Sequence, residues 1–260
     1  MSANVLHPGF PDATKLEEKF TDRVAALLEK IDCRRAEAAE ERNAIFRLRY
    51  QAYLRESAIV PNASGLFSDR YDDTDNVYLF GLYIEGELAS SIRINVGSRE
   101  RPYFPSLESF GDVLQPKLDA GKVIIDATRF VADDRLSRHY RGLPYATVRL
   151  NWMAAAYFNN GYSLAAVRPE HAPFYQRTFG LRLICEARPY LNLIKPLCLL
   201  ANQYESVADY VHLRYPFFRS TFFERRMLFE PDQAAPAHAS SEPQGNGDPS
   251  VECEAPRLAG

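Results

Sequence analysis

The sequence predicts an α/β (α+β) domain: a central sheet flanked by helices, with one helix ahead of it and extra helices at the C-terminal end. Three observations carry this. Runs with strand character alternate along the chain with runs whose apolar residues recur every three or four positions. Two of the strand-like runs, 77–84 and 88–96, are joined only by Glu85-Gly86-Glu87, which reads as a hairpin. The chain has 260 residues, 46% of them hydrophobic, enough for one substantial core.

In chain order, residues 1–13 are expected to be flexible. Thr14-Lys15-Leu16-Glu17 reads as a capping box. Leu16, Phe20, Val24, Leu27 and Ile31 then follow at helical spacing. Residues 31–36 suit a short strand. Residues 38–56 suit a second helix, with Ala44, Ile45, Leu48 and Ala52 on its apolar side and Arg47, Arg49 and Arg55 also on it. Residues 61–68 read as a loop. Asp69-Arg70-Tyr71-Asp72-Asp73-Thr74-Asp75 is dense in carboxylates but lacks the central Gly of a calcium loop, so no metal site is expected. These acids either stay solvated or hold nearby arginines. Both faces of 77–84 are apolar, as in a strand inside a sheet, and Ser91, Arg93 and Asn95 share one face of the next strand.

Residues 106–120 predict a helix stopped by Gly121. Residues 133–143 are rich in arginine, with Arg135, Arg138 and Arg141, and 138–142 read as a loop leading to Pro144 and the strongest helix, 144–159, which Asn159-Asn160-Gly161 ends. A strand at 162–168, a short helix at 171–179, a strand at 181–191 and helices at 204–214 and 218–229 complete a domain spanning 14–230. Residues 231–260 contain no aromatic residue and are rich in Pro, Ala, Ser and Gly, so a disordered tail is expected; His238 and Cys253 fall in it.

The rest of the chain is organised around residues 122–131, Lys-Val-Ile-Ile-Asp-Ala-Thr-Arg-Phe-Val. This is a β-branched, apolar strand that carries Asp126, Thr128 and Arg129 within four residues. Buried charges are costly unless they are paired or used. The stretch is therefore either the floor of a reaction site or an ion pair across a sheet. By strand alternation Thr128 shares a face with Asp126, and Arg129 falls on the other face unless a bulge re-aims it.

A net charge of −3, a pI near 6.0 and the absence of a long basic stripe speak against a nucleic-acid partner. Cys33, Cys185, Cys198 and Cys253 show neither CxxC nor Cys/His ligand spacing, which fits reduced thiols in a cytoplasmic protein and no zinc site. No secretory signal is visible, and the most apolar late segment, 191–201, is too short to span a bilayer.

Four motifs stand in an order that resembles the acyl-homoserine-lactone synthases. Phe46-Arg47-Leu48-Arg49-Tyr50-Gln51-Ala52-Tyr53 is similar to their N-terminal Leu-Arg-x-x-Val-Phe. Asp69-Arg70-Tyr71-Asp72 with Tyr78-Leu79 resembles Asp-x-Tyr-Asp and Tyr-Leu. Ser90-Ser91-Ile92-Arg93 resembles Ser-x-Arg, and Asp126-Ala127-Thr128-Arg129-Phe130 resembles Glu-x-Ser-Arg-Phe. The chain departs from that family at Asp126, where they have Glu, at Tyr53, where they have Phe, and in having Trp152 as its one Trp. Residues 39–56, 126–130 and Arg168-Pro169-Glu170-His171 are more similar to N-acyl amino acid synthases of the FeeM type.

The resemblance implies a GNAT-like fold with a mixed, largely antiparallel twisted sheet. It implies transfer of a long acyl group from acyl carrier protein to the amine of an amino acid. Acyl-acyl carrier protein is then a co-substrate, no cofactor stays bound, and the lipid product allows peripheral membrane contact. Other readings are a coenzyme A-dependent GNAT acetyltransferase, a lactone-type synthase and a non-catalytic acyl-binding module.

Aminolysis of a thioester needs a neutral amine, an acceptor for its proton and donors for the oxyanion. The resemblance makes Asp126, Thr128 and Arg129 the catalytic candidates. An unperturbed aspartate, near 3.9, needs burial to become an efficient base. Arg49, Tyr53, Asp69, Asp72 and Arg93 are the candidates for the substrate side; they either hold a substrate carboxylate or pin the N-terminal segment to the sheet. Arg138, Arg141 and Gly142 stand where GNAT enzymes cradle the pantetheine phosphate at a helix start, without the usual Gly pattern, and the arginines 135, 138 and 141 are candidates for carrier docking. Tyr175 stands where such enzymes place an acid for the leaving thiolate. His139 and His171 read as structural, with His171 as a cap for the helix of Tyr175.

Overall fold

A computed structural model describes residues 13–158 and 161–230; the expectations for 1–12, for Asn159 and Asn160 and for the tail lie outside the described residues, as do the side chains of the Thr14–Glu17 capping box. Seven strands form one sheet: β1 (Ile31–Arg35), β2 (Val77–Ile84), β3 (Glu87–Gly97), β4 (Ile124–Ala132), β5 (Tyr162–Val167), β6 (Arg182–Arg188) and β7 (Leu197–Gln203). Their order across the sheet is β1-β2-β3-β4-β5-β7-β6. All neighbours are antiparallel except β4 and β5, which run parallel. This mixed, largely antiparallel sheet with helices on both sides is a GNAT-like acyltransferase fold.

The helices are α1 (Ala13–Leu28), α2 (Ala39–Arg55), α3 (Pro105–Asp119), α4 (Asp134–His139), α5 (Leu143–Tyr157), α6 (Ala172–Phe179), α7 (Tyr204–Arg214) and α8 (Phe222–Phe229). Phe80, Leu82, Ile92, Ile94 and Ile125 pack against Ala146, Leu150 and Met153 of α5 on one face of the sheet. On the other face, Ile124, Leu164 and Leu199 meet Phe110, Leu114 and Leu118 of α3. Alternation along the strands splits the two sets. The hairpin turn forms as expected, with Glu85 and Gly86 both at positive φ, +52° and +82°.

Two expectations need correction. Residues 197–203, taken only as an apolar segment, form β7, which inserts between β5 and β6. The sheet has nowhere else to complete its hydrogen bonds on the far edge of β5. The loop expected at 138–142 starts only after His139: Asp133 accepts from the Leu136 amide at 2.9 Å and caps the short α4, which takes in 138 and 139. The strand 77–84 is interior, as expected, lying between β1 and β3.

Candidate active site

The parallel ladder between β4 and β5 runs only from Ile124↔Tyr162 to Ala127↔Ala165. Beyond Ala127 the two strands part, while β4 stays paired to β3 as far as Ala132. The opening is a cleft of about 620 Å³ lined by residues 127–132 of β4, by Ala166 and Val167 of β5, by Ala52 and Tyr53 of α2, and by Phe174 and Tyr175 of α6. Its other walls are mostly apolar, with Leu193 and Leu197 among them. Arg55, Glu56, Arg168, Glu170, His171 and Lys195 supply the polar part of the lining. The backbone amide of Ile194 donates to Ala58 O at 3.0 Å and Lys195 Nζ to Glu56 O at 2.8 Å, which ties the segment before β7 to the end of α2 and closes that side.

The bulge on which Arg129 depended is present. Ser91 pairs with Val131 and Arg93 with Thr128, so Arg129 and Phe130 together face the single residue Ile92. Arg129 takes φ +55°, a conformation uncommon outside glycine, in which strain is held by its surroundings. Its side chain is 2% exposed, donates to Asp69 Oδ2 through Nη2 (2.6 Å) and Nε (3.1 Å), and lies 4.7 Å from the Phe67 ring centroid and 5.6 Å from that of Tyr53. Burial works against its charge, but Tyr53 and Asp69 outweigh this and hold the guanidinium above its ordinary range. Thr128 Oγ1 accepts from Arg93 Nε at 3.1 Å. Both Thr128 and Arg129 line the cleft.

Behind them lies a closed ion network. Arg93 reaches Asp69 Oδ1 at 2.6 Å and Asp72 Oδ1 at 3.1 Å, and Arg49 reaches Asp72 Oδ1 at 2.8 Å. Asp69 also caps the turn at 70–72 by accepting from the Tyr71 amide, while Asp72 Oδ2 accepts from the Asp69 amide at 2.9 Å. Burial is the largest influence on Asp69, but Arg93 and Arg129 reverse it and hold the carboxyl far below the usual carboxylate range. Arg49 is lowered by burial to about 10, with Asp72 opposing. Three arginines share two aspartates, so one positive charge is in excess. Arg49 Nε and Nη2 and Arg93 Nη2 have no hydrogen-bond partner. Arg49, Arg93, Asp69 and Asp72 are not on the cleft lining; of the expected substrate side, Tyr53 alone is. The four charged residues pin the 69–72 turn and α2 to the sheet.

Asp126 is fully buried and also absent from the lining. It shares a sheet face with Thr128, but the first turn of α3 covers it. Its Oδ2 accepts from the Ser106 amide and its Oδ1 from Ser106 Oγ, both at 2.8 Å, and Ser106 Oγ is 3.3 Å from the Tyr190 hydroxyl. Burial raises its pKa to about 6, while the bonds from Ser106 and the charges of Arg93 and Arg129 restrain the rise. Ser106 and Tyr190 carried no mark in the sequence that linked them to Asp126.

The helix start at Gly142 differs from the cradle expected there. Arg138 is on α4 and pairs with Asp134; Arg135 pairs with Glu87; Arg141 is exposed. The Leu143 amide donates to Tyr140 O, Pro144 has none, and the Tyr145 and Ala146 amides both donate to Gly142 O, at 2.9, 3.0 and 3.1 Å. None of these four residues leaves an amide for a phosphate. Gly142 is glycine for another reason: a Cβ there would meet Val24 and Leu27 of α1 at 3.1 and 3.3 Å. His171 occupies the cap position of α6 but makes no capping hydrogen bond; its Nε2 lies 2.9 Å from Arg168 Nη2. Burial and then Arg168 lower its pKa, so the ring is neutral near pH 7. Tyr175 is raised by burial and then by Tyr53, and stays protonated. Among the described residues no cluster of His, Cys, Asp or Glu is arranged to hold a metal ion, and no helix is long and apolar enough to cross a membrane.

Comparison with known proteins agrees with this geometry. The structure of FeeM, an N-acyl amino acid synthase from uncultured soil microbes, superposes with a TM-score of 0.58 at 19% identity over 72% of this chain and 97% of that one. An acyl-CoA N-acyltransferase from Pseudomonas aeruginosa (TM-score 0.43, 15% identity, 66% and 97% covered) and TofI in complex with an inhibitor and MTA (0.46, 13%, 66% and 90%) are looser matches that bear no further weight. No curated protein matches the chain. The sequence profile of the N-acyl amino acid synthase FeeM matches residues 44–203, more than half of the chain. The protein therefore belongs to the FeeM family of N-acyl amino acid synthases and is an N-acyltransferase.

Proposed function

We propose that the protein moves a long acyl chain from acyl carrier protein to the amine of an amino acid. The observation that carries this is the position of Arg129. It is the one arginine of the network that lines the cleft, and the walls beyond it are largely apolar. An amino-acid carboxylate finds a fork of donors at Arg129, and an acyl chain finds the apolar walls. The carrier-linked donor rests on the likeness to FeeM-type synthases; the spent amides at the start of α5 disfavour a phosphate there whichever donor brings it.

In the reaction the amine nitrogen attacks the thioester carbon, the C–N bond forms, and the C–S bond breaks. We assign to Thr128 Oγ1 a hydrogen bond to the developing oxyanion and to the protonated Tyr175 the proton for the departing thiolate, which the tyrosine regains from solvent. The amine proton goes to solvent, because the one ring lone pair of the neutral His171 on the cleft wall already accepts from Arg168 Nη2; Asp126, walled off by Ser106, fixes the floor.

The test offers the purified protein a mixture of amino acids with either long-chain acyl-acyl carrier protein or the matching acyl-coenzyme A, with products read by mass spectrometry. N-acyl amino acid formed at least ~10-fold faster from the carrier is expected. Equal or faster use of coenzyme A would remove the carrier half of the proposal, and acylation of amines lacking a carboxylate would remove the acceptor half.

A further inference from the structure

α8 lies beyond the region matched by the family profile, residues 44–203, and its two sides differ sharply. The inner side is anchored by Phe229, fully buried, with ring centroids 5.5 Å from Tyr78 and Phe80 and 5.7 and 5.6 Å from Tyr157 and Phe158. The outer side carries Phe223 and Met227, each 69% exposed; Phe222, 64% exposed, lies at the edge of the inner side with its ring 6.3 Å from that of Tyr157. Phe223 and Met227 are one helical turn apart and form a ridge. Single exposed apolar residues are ordinary; three large ones on a helix of eight residues mark a contact surface.

Charge says what meets the ridge. Residues 212–230 hold four arginines and two glutamates, a net +2 in a chain whose net charge is −3. Both glutamates are already engaged, Glu224 with Arg149 and Glu230 with Arg226. Arg219 and Arg225 form no ion pair among the described residues, and Arg219 is exposed. Arg225 is half-buried and donates to Ser220, which leaves Arg219 exposed beside the ridge; a narrow ridge of this kind is a poor match for a protein interface, which needs roughly 800 Å² per partner. It is a good match for an anionic bilayer, where aromatic and thioether side chains enter the headgroup layer and guanidinium groups meet lipid phosphates. We infer that the outer face of α8 is a membrane-contact surface for anionic lipid.

The test is flotation of the full chain with phosphatidylcholine vesicles made with or without phosphatidylglycerol. Binding to the anionic vesicles alone, weakened by added salt, is expected. Phe223→Ser with Met227→Ser should lower the bound fraction about 10-fold, and Arg219→Glu should reduce the preference for anionic lipid. Both variants should keep the parent melting temperature, since the replaced side chains are exposed. Absence of binding, equal binding to neutral vesicles, or undiminished binding by the double variant would each overturn the inference. So would a concentration-dependent dimer abolished by the same two substitutions, which would assign the face to a second copy of the chain. Binding is read without substrate, so it stands or falls separately from acyl transfer.

Discussion

Two groups of buried aspartate lie on one face of the sheet, and they solve the same problem in opposite ways. Asp69 and Asp72 sit among Arg49, Arg93 and Arg129, and Asp69 is held ionised far below the usual carboxylate range because guanidinium charges outweigh burial. Asp126 has only an amide and a hydroxyl from Ser106 in direct contact, and burial lifts it to about 6. The first group is held by charge and fails if one charge is removed. The second is held by neutral donors around a carboxylate that would rather be protonated. Their functional consequences differ in the same way. The first group has one more guanidinium than carboxylate, and one of its arginines, Arg129, lines the cleft. The second is sealed and fixes the start of α3.

The largest effect expected from this contrast is on stability. Asp72→Ala leaves Arg49 without its ion pair and takes one of two from Arg93, both in fully buried positions. Removing one partner of a buried pair costs about 3–5 kcal/mol. For a domain of this size each kcal/mol shifts the melting temperature by about 2–4 °C. Thermal melting should therefore show a fall of roughly 6–20 °C. A fall no larger than that of Asp126→Asn would mean that the two groups are held alike.

The next effect is on pH dependence. Asp126 titrates near 3.8 in a free chain and about 6 in the fold, so between these values the folded state holds more protons than the unfolded one. Stability contributed at this site is then full below about 3.8 and is lost as pH rises to about 6. At about 1.4 kcal/mol per unit this amounts to about 3 kcal/mol at most. Asp126→Asn removes the titration. Measured by denaturant unfolding, the variant should gain on the parent protein as pH is raised through this window, and the gap should be constant above it. A gap that moves the other way would place a guanidinium in direct partnership with Asp126 and erase the contrast. Asp69 has the opposite sign: its contribution is present at neutral pH and is lost only in acid, below the range of ordinary carboxylates.

Much of this was legible in the sequence and some was not, for physical reasons. The hairpin, the strand of Asp126 and the helix of Trp152 announced themselves through periodicity and turn residues. That Asp69 and Asp72 hold arginines was one of two readings their density allowed. β7 was missed because Leu197-Cys198-Leu199-Leu200-Ala201 has no β-branched residue and no alternation, being buried on both faces. α4 was missed because six residues with one buried apolar side chain, Leu136, carry no period. The clasp of Ser106 on Asp126 joins positions 20 apart, and no local pattern encodes such a contact. The bulge was foreseeable only as a condition, since Arg129 at positive φ leaves no glycine to mark it. Tertiary contacts impose that conformation on the residue.

The smallest effect concerns the one point where the paired group meets the cleft. Arg129→Lys keeps the positive charge beside Asp69 but replaces a planar fork with a single ammonium. The present guanidinium uses Nη2 and Nε on Asp69 Oδ2 and lies 4.7 Å from the ring centroid of Phe67 and 5.6 Å from that of Tyr53. A lysine can satisfy Asp69, so the fold should survive. It cannot at the same time offer a second donor pair to a substrate carboxylate. The expected result is a rise of about 10-fold in KM for the amino acid, equivalent to about 1.4 kcal/mol, with kcat within a few-fold of the parent and KM for the acyl donor unchanged. A variant that loses kcat while both KM values hold would show that Arg129 acts on the transition state and leaves the acceptor carboxylate to another group. If instead every kinetic constant were unaltered, the charge at Arg129 would belong to the ion network alone, and the two groups of aspartates would differ in electrostatics without differing in function.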